Sequence, residues 1–394
     1  MRYGAYMSAR LTTKEARPRP RYVVWEITLK CDLACRHCGS RAGRPRAAEL
    51  SLEECRDLAR QLADMGAEEV TLIGGEAYLA PHWLGVVRAV AETGVRCTMT
   101  TGARAFTLKR AHAAKEAGLA AVSVSVDGLE STHDTLRAVK GSWAAAMAAF
   151  DHAQQAGLDF YANTQVNQLN LGELKALGKL LADKGVRAWQ VQLTGPMGRA
   201  ADREEVLLQP WQMTELIPRL GKLAKRLRRR GLWIQVANNL GYFGPYEGML
   251  RPAAWQGCGA GIGVLGIESN GDIKGCPSLP SAPYVGGNIR DKSLEALWET
   301  QELRFARDRD ASELWGHCAS CYYAEHCRGG CSWTAHTLLG KRGNMPYCYH
   351  RAETLAAEGI RERIERVEAA PGKPFDFGRY RLVEEAIPAR EPLS

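Results

Sequence analysis

The chain has 394 residues, 45% of them hydrophobic and 24% charged, enough for two domains with a large core. No apolar run approaches the roughly 20 residues that cross a bilayer, and the first five residues, Met1 to Ala5, lack the apolar stretch of a secretory signal. A cytoplasmic location without membrane attachment is expected, and the twelve cysteines are not expected to form disulfides.

Residues 1–21 read as a basic, Pro-rich arm. From Tyr22 to about Leu240 short apolar strands alternate with helical runs. Strands are predicted near 23–28, 69–74, 96–101, 121–126, 159–166, 189–193 and 233–236, with helices between them at i, i+3, i+4 apolar spacing. One helix covers 52–65, opened by Ser51 with Glu54 three residues on, a capping-box pattern. Others cover 143–156, with Trp143, Met147 and Phe150 on one face, and 173–184, with Leu174, Leu177 and Leu181. Repeated βα units imply parallel strands and right-handed crossovers. Six units plus a seventh strand predict a partial (β/α)6-type open TIM barrel, because a closed eight-fold barrel needs more units. Chemistry in such folds gathers at the carboxyl ends of strands. Cys31 to Cys38, Gly74-Gly75-Glu76, Thr100 to Gly102 and Ser125-Val126-Asp127-Gly128 all fall there.

The net charge of +8 is modest but uneven, since residues 219–230 hold seven positive charges. Leu220, Leu223 and Leu227 recur at helical spacing in that run, which reads as a solvated outer helix face. The functional alternative is a docking surface for an acidic electron donor or an acidic peptide. No aromatics interleave with these charges, so a nucleic-acid partner is not expected. After Leu240 the sequence turns Gly- and Cys-rich through Cys348. Residues 267–273 read as a β-hairpin with an Asn270-Gly271 turn, and 293–304 as a short helix. A single helix from 349 to about 367 and a Pro-rich tail complete the chain.

Cys31, Cys35 and Cys38 lie too close together for ligation from a regular helix or strand. They suit a loop whose sulfurs converge on one iron–sulfur cube, with three ligands leaving one iron open. Zinc is the alternative, although it usually takes four ligands in CxxC-type pairs. Cys55 and Cys97 stand alone on predicted elements and read as core thiols. The second field holds Cys258, Cys276, Cys318, Cys321, Cys327, Cys331 and Cys348. Seven thiols make one complete four-thiolate site and one incomplete, and on spacing alone a zinc pair remains open.

The CxxxCxxC trio is similar to that of the radical S-adenosylmethionine (SAM) enzymes. The seven-cysteine field resembles the SPASM domain appended to some of them. That group includes anaerobic sulfatase maturases, enzymes of pyrroloquinoline quinone and mycofactocin synthesis, and maturases of ribosomally made peptides. The resemblance spans about 22–348, with both motif sets in order. It implies a radical SAM barrel over 22–240, a SPASM domain with a hairpin and short helices over 241–348, and a C-terminal piece over 349–394.

The resemblance also implies the site. Cys31, Cys35 and Cys38 would hold a 4Fe–4S cluster that binds SAM. Cys258, Cys276 and Cys331 would hold the nearer auxiliary cluster, and Cys318, Cys321, Cys327 and Cys348 the outer one, giving one or two auxiliary clusters in all. Gly259 to Gly266 lack the further cysteine of sulfatase maturases, which leaves the nearer cluster with an open or non-cysteine site. Gly74, Gly75 and Glu76 match the motif holding the methionine amino group, with Ala77 where the family usually has Pro. Ser125 matches a ribose contact, Arg137 a carboxylate contact, and His37 a position whose backbone meets adenine. Glycines permit close backbone approach, a carboxylate accepts from an ammonium, and a guanidinium pairs with a carboxylate. Asp127 is either a turn residue or a substrate-facing catalytic group.

The reaction implied is reductive cleavage of SAM to a 5′-deoxyadenosyl radical, followed by hydrogen abstraction from a precursor peptide. Pro277 follows Cys276 where sulfatase maturases carry Asp, which argues against that activity. Alternatives are a radical dehydrogenase or decarboxylase of a small metabolite and, from another class, a non-catalytic iron–sulfur or zinc protein. The partners implied are a flavodoxin- or ferredoxin-type electron donor and, because little precedes Tyr22, a separate peptide-recognition protein.

Overall fold

Strand β1 (Tyr22–Thr28) is extended on both edges. On one edge β2 (Glu69–Gly74), β3 (Arg96–Thr101), β4 (Ala121–Ser125), β5 (Asp159–Val166), β6 (Ala188–Leu193) and β7 (Trp233–Val236) follow in parallel order. On the other edge β8 (Val264–Ile267) pairs in parallel with β1, Tyr22 opposite Val264. The antiparallel strands β9 (Asp272–Lys274) and β10 (Val285–Asn288) complete a ten-stranded sheet. The coordinates are a computed structural model that describes residues 17–251, 255 and 257–388. The arm predicted over 1–21 therefore lies mostly outside the described residues. Its last residues run beside β8, Arg19 N donating to Ile262 O at 3.0 Å.

The crossover helices are α1 (Leu52–Asp64), α2 (Trp83–Glu92), α3 (Leu108–Glu116), α4 (Glu130–Arg137), α5 (Ser142–Gln155), α6 (Leu174–Asp183) and α7 (Met213–Arg228). The capping box of Ser51 and Glu54 opens α1 as predicted. Every predicted strand is present with its ends within one residue of expectation, because apolar β-branched runs bounded by turns are strong local signals. The core lies between helices and sheet. Val70, Leu72, Cys97, Met99, Val122, Val124, Trp189 and Val191 are buried there. Period-2 alternation turns the intervening residues, such as Thr98, Ser123, Asn163, Gln190 and Gln235, to the face away from the helices. No ladder joins β7 to β10, so the barrel is open as predicted. Leu220, Leu223 and Leu227 of α7 are buried and its basic side chains exposed.

Three expectations for the second half are corrected. The hairpin β8–β9 forms, but its turn is wider than two residues. Gly271 alone is left-handed, φ +93°, and its N–H donates to Glu268 O at 2.9 Å. The helix predicted over 293–304 is two short helices, Leu294–Trp298 and Gln301–Arg304. The largest correction is at the C-terminus. After α8 (Ser332–Leu339), helix α9 covers only Tyr349–Ala357 and stops before Gly359, whose φ is +76°. The chain continues as an antiparallel pair, β11 (Ile360–Glu368) with β12 (Arg379–Ala386). The alternating charges of β11 resemble a helical pattern but pair across the ladder, Arg361 and Arg363 with Glu385 and Glu365 with Arg381. Glu362 and Ile364 face inward. Among the described residues no helix is long and apolar enough to cross a membrane.

Candidate metal centre and cofactor site

The loop after β1 carries Cys31, Cys35 and Cys38 and is held by Gly43, Leu136 and Arg199. Cys31 N donates to Gly43 O at 3.2 Å, and Arg36 N to Leu136 O on α4 at 2.8 Å. Arg199, beyond β6, reaches back with its Nε to Cys35 O at 2.7 Å and its N–H to Cys38 O at 2.9 Å. Neither Arg199 nor its neighbour Gly198 carries a local sequence signal. Gly74 and Gly75 bring the end of β2 against this loop. A Cβ on Gly74 would run into the Thr28 carbonyl, and one on Gly75 into that of Lys30. The glycine pair is thus required first by protein packing at the root of the loop.

The thiols form three neighbourhoods. Burial pushes Cys31 up to about 12, and Cys35 and Cys38 add to the rise. Burial likewise pushes Cys276 up to about 12, with Cys258 and Cys331 adding. It lifts Cys327 to about 12, with Cys348 and Cys318 adding, and Cys348 to about 11, with Cys318 and Cys321 adding. Within each of the sets 31/35/38, 258/276/331 and 318/321/327/348 the thiols thus lie near enough to raise one another. Buried thiols crowded this way remain protonated unless a cationic centre holds them as thiolates, which is the donor chemistry an iron–sulfur cluster requires. Among the described residues no three His, Cys, Asp or Glu side chains close around a single ion. Trp255 Nε1 donates to Cys327 Sγ at 3.1 Å. Cys55 and Cys97 are 2% and 1% exposed in the core, as expected.

Glu76, beside the first trio, is 1% exposed. Its Oε2 accepts from Gly102 N at 2.8 Å while Oε1 has no partner, and burial pushes the carboxyl up to about 8. A buried half-satisfied carboxylate is a ready acceptor for an ammonium group. Asp127 is fully buried and pairs through Oδ2 with His37 Nε2 at 2.9 Å and Arg137 Nη2 at 2.5 Å. Its Oδ1 accepts from Gln165 N at 2.9 Å, and its own N–H donates to His133 Nδ1 at 3.1 Å. Burial alone would raise Asp127, but Arg137 and His37 hold it well below the usual carboxylate range. Arg137 Nη1 lies 3.7 Å from Cys35 Sγ, and its Nε has no partner. Asp127 thus faces Arg137 and His37, so the geometry points to a positioning residue, not a group presented to substrate.

Ser125 ends β4 on the face away from the helices. The register places Asn163 beside it, Gln190 beside Asn163 and Gln235 beside Gln190, a row crossing four strands. Gln165 and Gln192 form a second pair one step toward the carboxyl ends. All are half-buried. Among the described residues the carboxamides of Asn163, Gln190, Gln192 and Gln235 make no hydrogen bond, whereas the Arg46 and Lys274 cations are paired with Glu26 and Glu268. Sequence reading missed this row, whose only signal is a polar residue at every second position of β5 and β6.

The β11–β12 connection reaches the same end of the barrel. Asp376 meets Arg41, just past Cys38, and its carbonyl accepts from Gly198 N at 2.7 Å. Phe375 stacks over Lys274 Nζ at 4.3 Å, and Phe377 sets its ring against His336 of α8 at 5.0 Å. Met197 forms an antiparallel bridge with Phe377, and Trp333 Nε1 donates to Met197 Sδ at 3.0 Å.

Residues 25–181 match the family model described as the radical SAM superfamily, and residues 258–322 that of an iron–sulfur cluster-binding SPASM domain. An AdoMet-dependent heme synthase of Oleidesulfovibrio alaskensis is 29% identical over 364 residues, covering 89% of this chain and 92% of that one. The mycofactocin maturase MftC of Mycolicibacterium smegmatis is 29% identical over 322 residues, covering 79% and 78%. Streptococcus suis SuiB bound to S-adenosylmethionine superposes with a TM-score of 0.67 at 18% identity, over 86% of this chain and 78% of that one.

Proposed function

The chain belongs to the radical SAM superfamily and carries a SPASM iron–sulfur domain, and from that premise we propose that it modifies a peptide at a carbon atom. The carrying observation is the row of carboxamides Asn163, Gln190 and Gln235. A carboxamide both donates and accepts hydrogen bonds, as a peptide backbone does. A wall of such groups, free of unpaired cations among those named, suits a neutral hydrogen-bonding substrate better than a polyanion. The similarity to a maturase agrees with this reading.

When bound, the cluster would pass one electron from an external donor to SAM, the chemistry that equips the site to take a hydrogen atom from the substrate. This chain's residues do the rest. Cys31, Cys35 and Cys38 would hold the cluster, and Arg199 and the glycine pair fix the loop that carries them. Glu76 would accept the ammonium of SAM, Arg137 would pair with its carboxylate, and Ser125 would hold the ribose. Asp127 holds Arg137 and His37 in place. Cys258, Cys276 and Cys331 would hold one auxiliary cluster, and Cys318, Cys321, Cys327 and Cys348 the other. The barrel occupies residues 22–240 and the auxiliary domain 241–348.

A second reading, a tetrapyrrole substrate, is favoured by the near full-length similarity to a heme synthase. The two part in one experiment. Coexpression with short peptides encoded beside the gene, followed by mass spectrometry, is expected to show a defined mass change in one peptide that is absent with the Cys31→Ala/Cys35→Ala/Cys38→Ala variant. Unchanged peptides, with an iron-porphyrin carboxylate consumed instead, would overturn the peptide reading and leave the SAM chemistry standing.

A further inference from the structure

Helix α7 turns Arg219, Lys222, Lys225, Arg226 and Arg228 outward, and Arg229 and Arg230 continue the exposed patch. Arg219 and Arg230 are paired with Glu215 and Asp183, and Arg228 lies over Trp233. Lys222, Lys225, Arg226 and Arg229 have no acidic partner among the described residues. A solvated face needs no such concentration of one sign, which costs self-repulsion. A groove of about 330 Å³ between α7 and the helix Glu247–Leu250 is lined by Ala224, Lys225, Arg228, Arg229 and Met249, the last 41% exposed. An apolar centre ringed by cations is the anatomy of a transient docking site for an acidic protein.

The patch also lies beside the outer thiol set. Gly221 of α7 packs under the Tyr246 ring, where an added Cβ would meet Tyr246 Cδ1 at 2.7 Å. The Tyr246 ring meets that of Tyr349 edge-on at 5.4 Å, and Tyr349 directly follows Cys348. Arg251, which caps the helix Glu247–Leu250, stacks over Trp255 at 4.4 Å, and Trp255 donates to Cys327 Sγ. Tyr246 thus links the basic helix to the residue after Cys348, and Arg251 and Trp255 lead from the adjoining helix end to the Cys327 thiol.

We propose that the outer face of α7 docks a small acidic one-electron carrier protein, which reduces the enzyme from the side of Cys318, Cys321, Cys327 and Cys348. The balance is one electron per turnover: the carrier is oxidised by one electron, and the sulfonium of SAM accepts it as the S–C5′ bond breaks into methionine and the 5′-deoxyadenosyl radical. This placement is independent of which substrate the radical attacks.

The test uses the full-length holoenzyme and the variant Lys222→Glu/Lys225→Glu/Arg226→Glu/Arg229→Glu, with an acidic flavodoxin as probe. Binding of oxidised flavodoxin, followed by calorimetry, is expected for the parent. It weakens steeply with salt and falls by tenfold or more in the variant. Cleavage of SAM driven by reduced flavodoxin falls in parallel, while cleavage driven by dithionite is unchanged. The neutral variant Lys222→Gln/Lys225→Gln/Arg226→Gln/Arg229→Gln falls between the two. Equal flavodoxin binding by parent and charge-reversed variant would overturn the proposal. Salt-independent binding, or an equal loss with both reductants, would do the same. So would tight binding of a synthetic acidic peptide to this face that flavodoxin fails to displace.

Discussion

Arg41 and Asp376 stand 335 positions apart in the chain and meet with Nε 2.5 Å from Oδ1. Arg41 lies three residues past Cys38 and also pairs with Asp202, while Asp376 accepts in addition from Gly372 N and Lys373 N. One guanidinium thus ties the first thiol loop, the segment beyond β6 and the C-terminal hairpin together.

Arg41→Ala leaves a carboxylate of 6% side-chain exposure without its cation. Removing one partner of a buried pair costs about 3 kcal/mol. The expected outcome is a lower Tm together with faster proteolysis between β11 and β12. A variant with parent-like protease resistance would remove the hairpin from the account of how the site is closed.

Glu76 gives a pH dependence with a definite sign. Its carboxyl is pushed up to about 8 in the SAM-free protein, so it is protonated at neutral pH and must lose that proton to accept an ammonium. SAM affinity is expected to fall about tenfold per pH unit below 8 and to level off above it, with proton release on binding. Glu76→Gln abolishes the release and weakens binding by about 1.5–3 kcal/mol, roughly 10- to 150-fold, even at high pH. Calorimetry in buffers of different ionisation enthalpy reads both effects.

Asp127→Asn keeps the acceptor for Gln165 N but removes the charge opposite Arg137 and His37. An uncompensated buried guanidinium costs about 3–5 kcal/mol. We expect a lowered Tm and loosened SAM binding with iron content retained. A catalytic base would instead give normal stability and SAM affinity with turnover lost.

Gly75→Ala pushes a methyl group toward the carbonyls of Leu29 and Lys30, 2.6 Å from Leu29 O. Backbone cannot yield as a side-chain end does, so the first thiol loop shifts. The variant is expected to lose iron from that site alone, with the two auxiliary sets still loaded.

Alanine replacement of each thiol set tests the partition directly. Each of the three variants is expected to lose about four irons per chain where the set holds a cubane cluster. Only the 31/35/38 variant loses SAM binding altogether. A loss spanning two sets would show that the sets share ligands.

The strands from β1 to β7 were legible because alternation of apolar and polar residues is a property of neighbouring positions. The first trio was equally legible, since a short loop brings Cys31, Cys35 and Cys38 together whatever the rest of the chain does. Helix α7 announced both its faces through Leu220, Leu223 and Leu227. The segment after Gly359 misled, because alternating Arg and Glu satisfy each other at i, i+4 on a helix or across a ladder, and only the burial of Glu362 and Ile364 decides between them.

By itself the sequence determined the open barrel, the three thiols that open the site and the electrostatic character of α7, all set by spacings of a few residues. The tertiary structure alone decided that β8 adds to β1, that Arg199 and Arg41 pin the thiol loop from far along the chain, that Asp127 is consumed by Arg137 and His37, and that Asn163, Gln190 and Gln235 fall in one row. Each of these depends on register or on contacts between residues tens to hundreds of positions apart. Such pairings follow from the packing of the whole chain, and a local pattern such as the polar alternation of β5 and β6 does not say which residues meet.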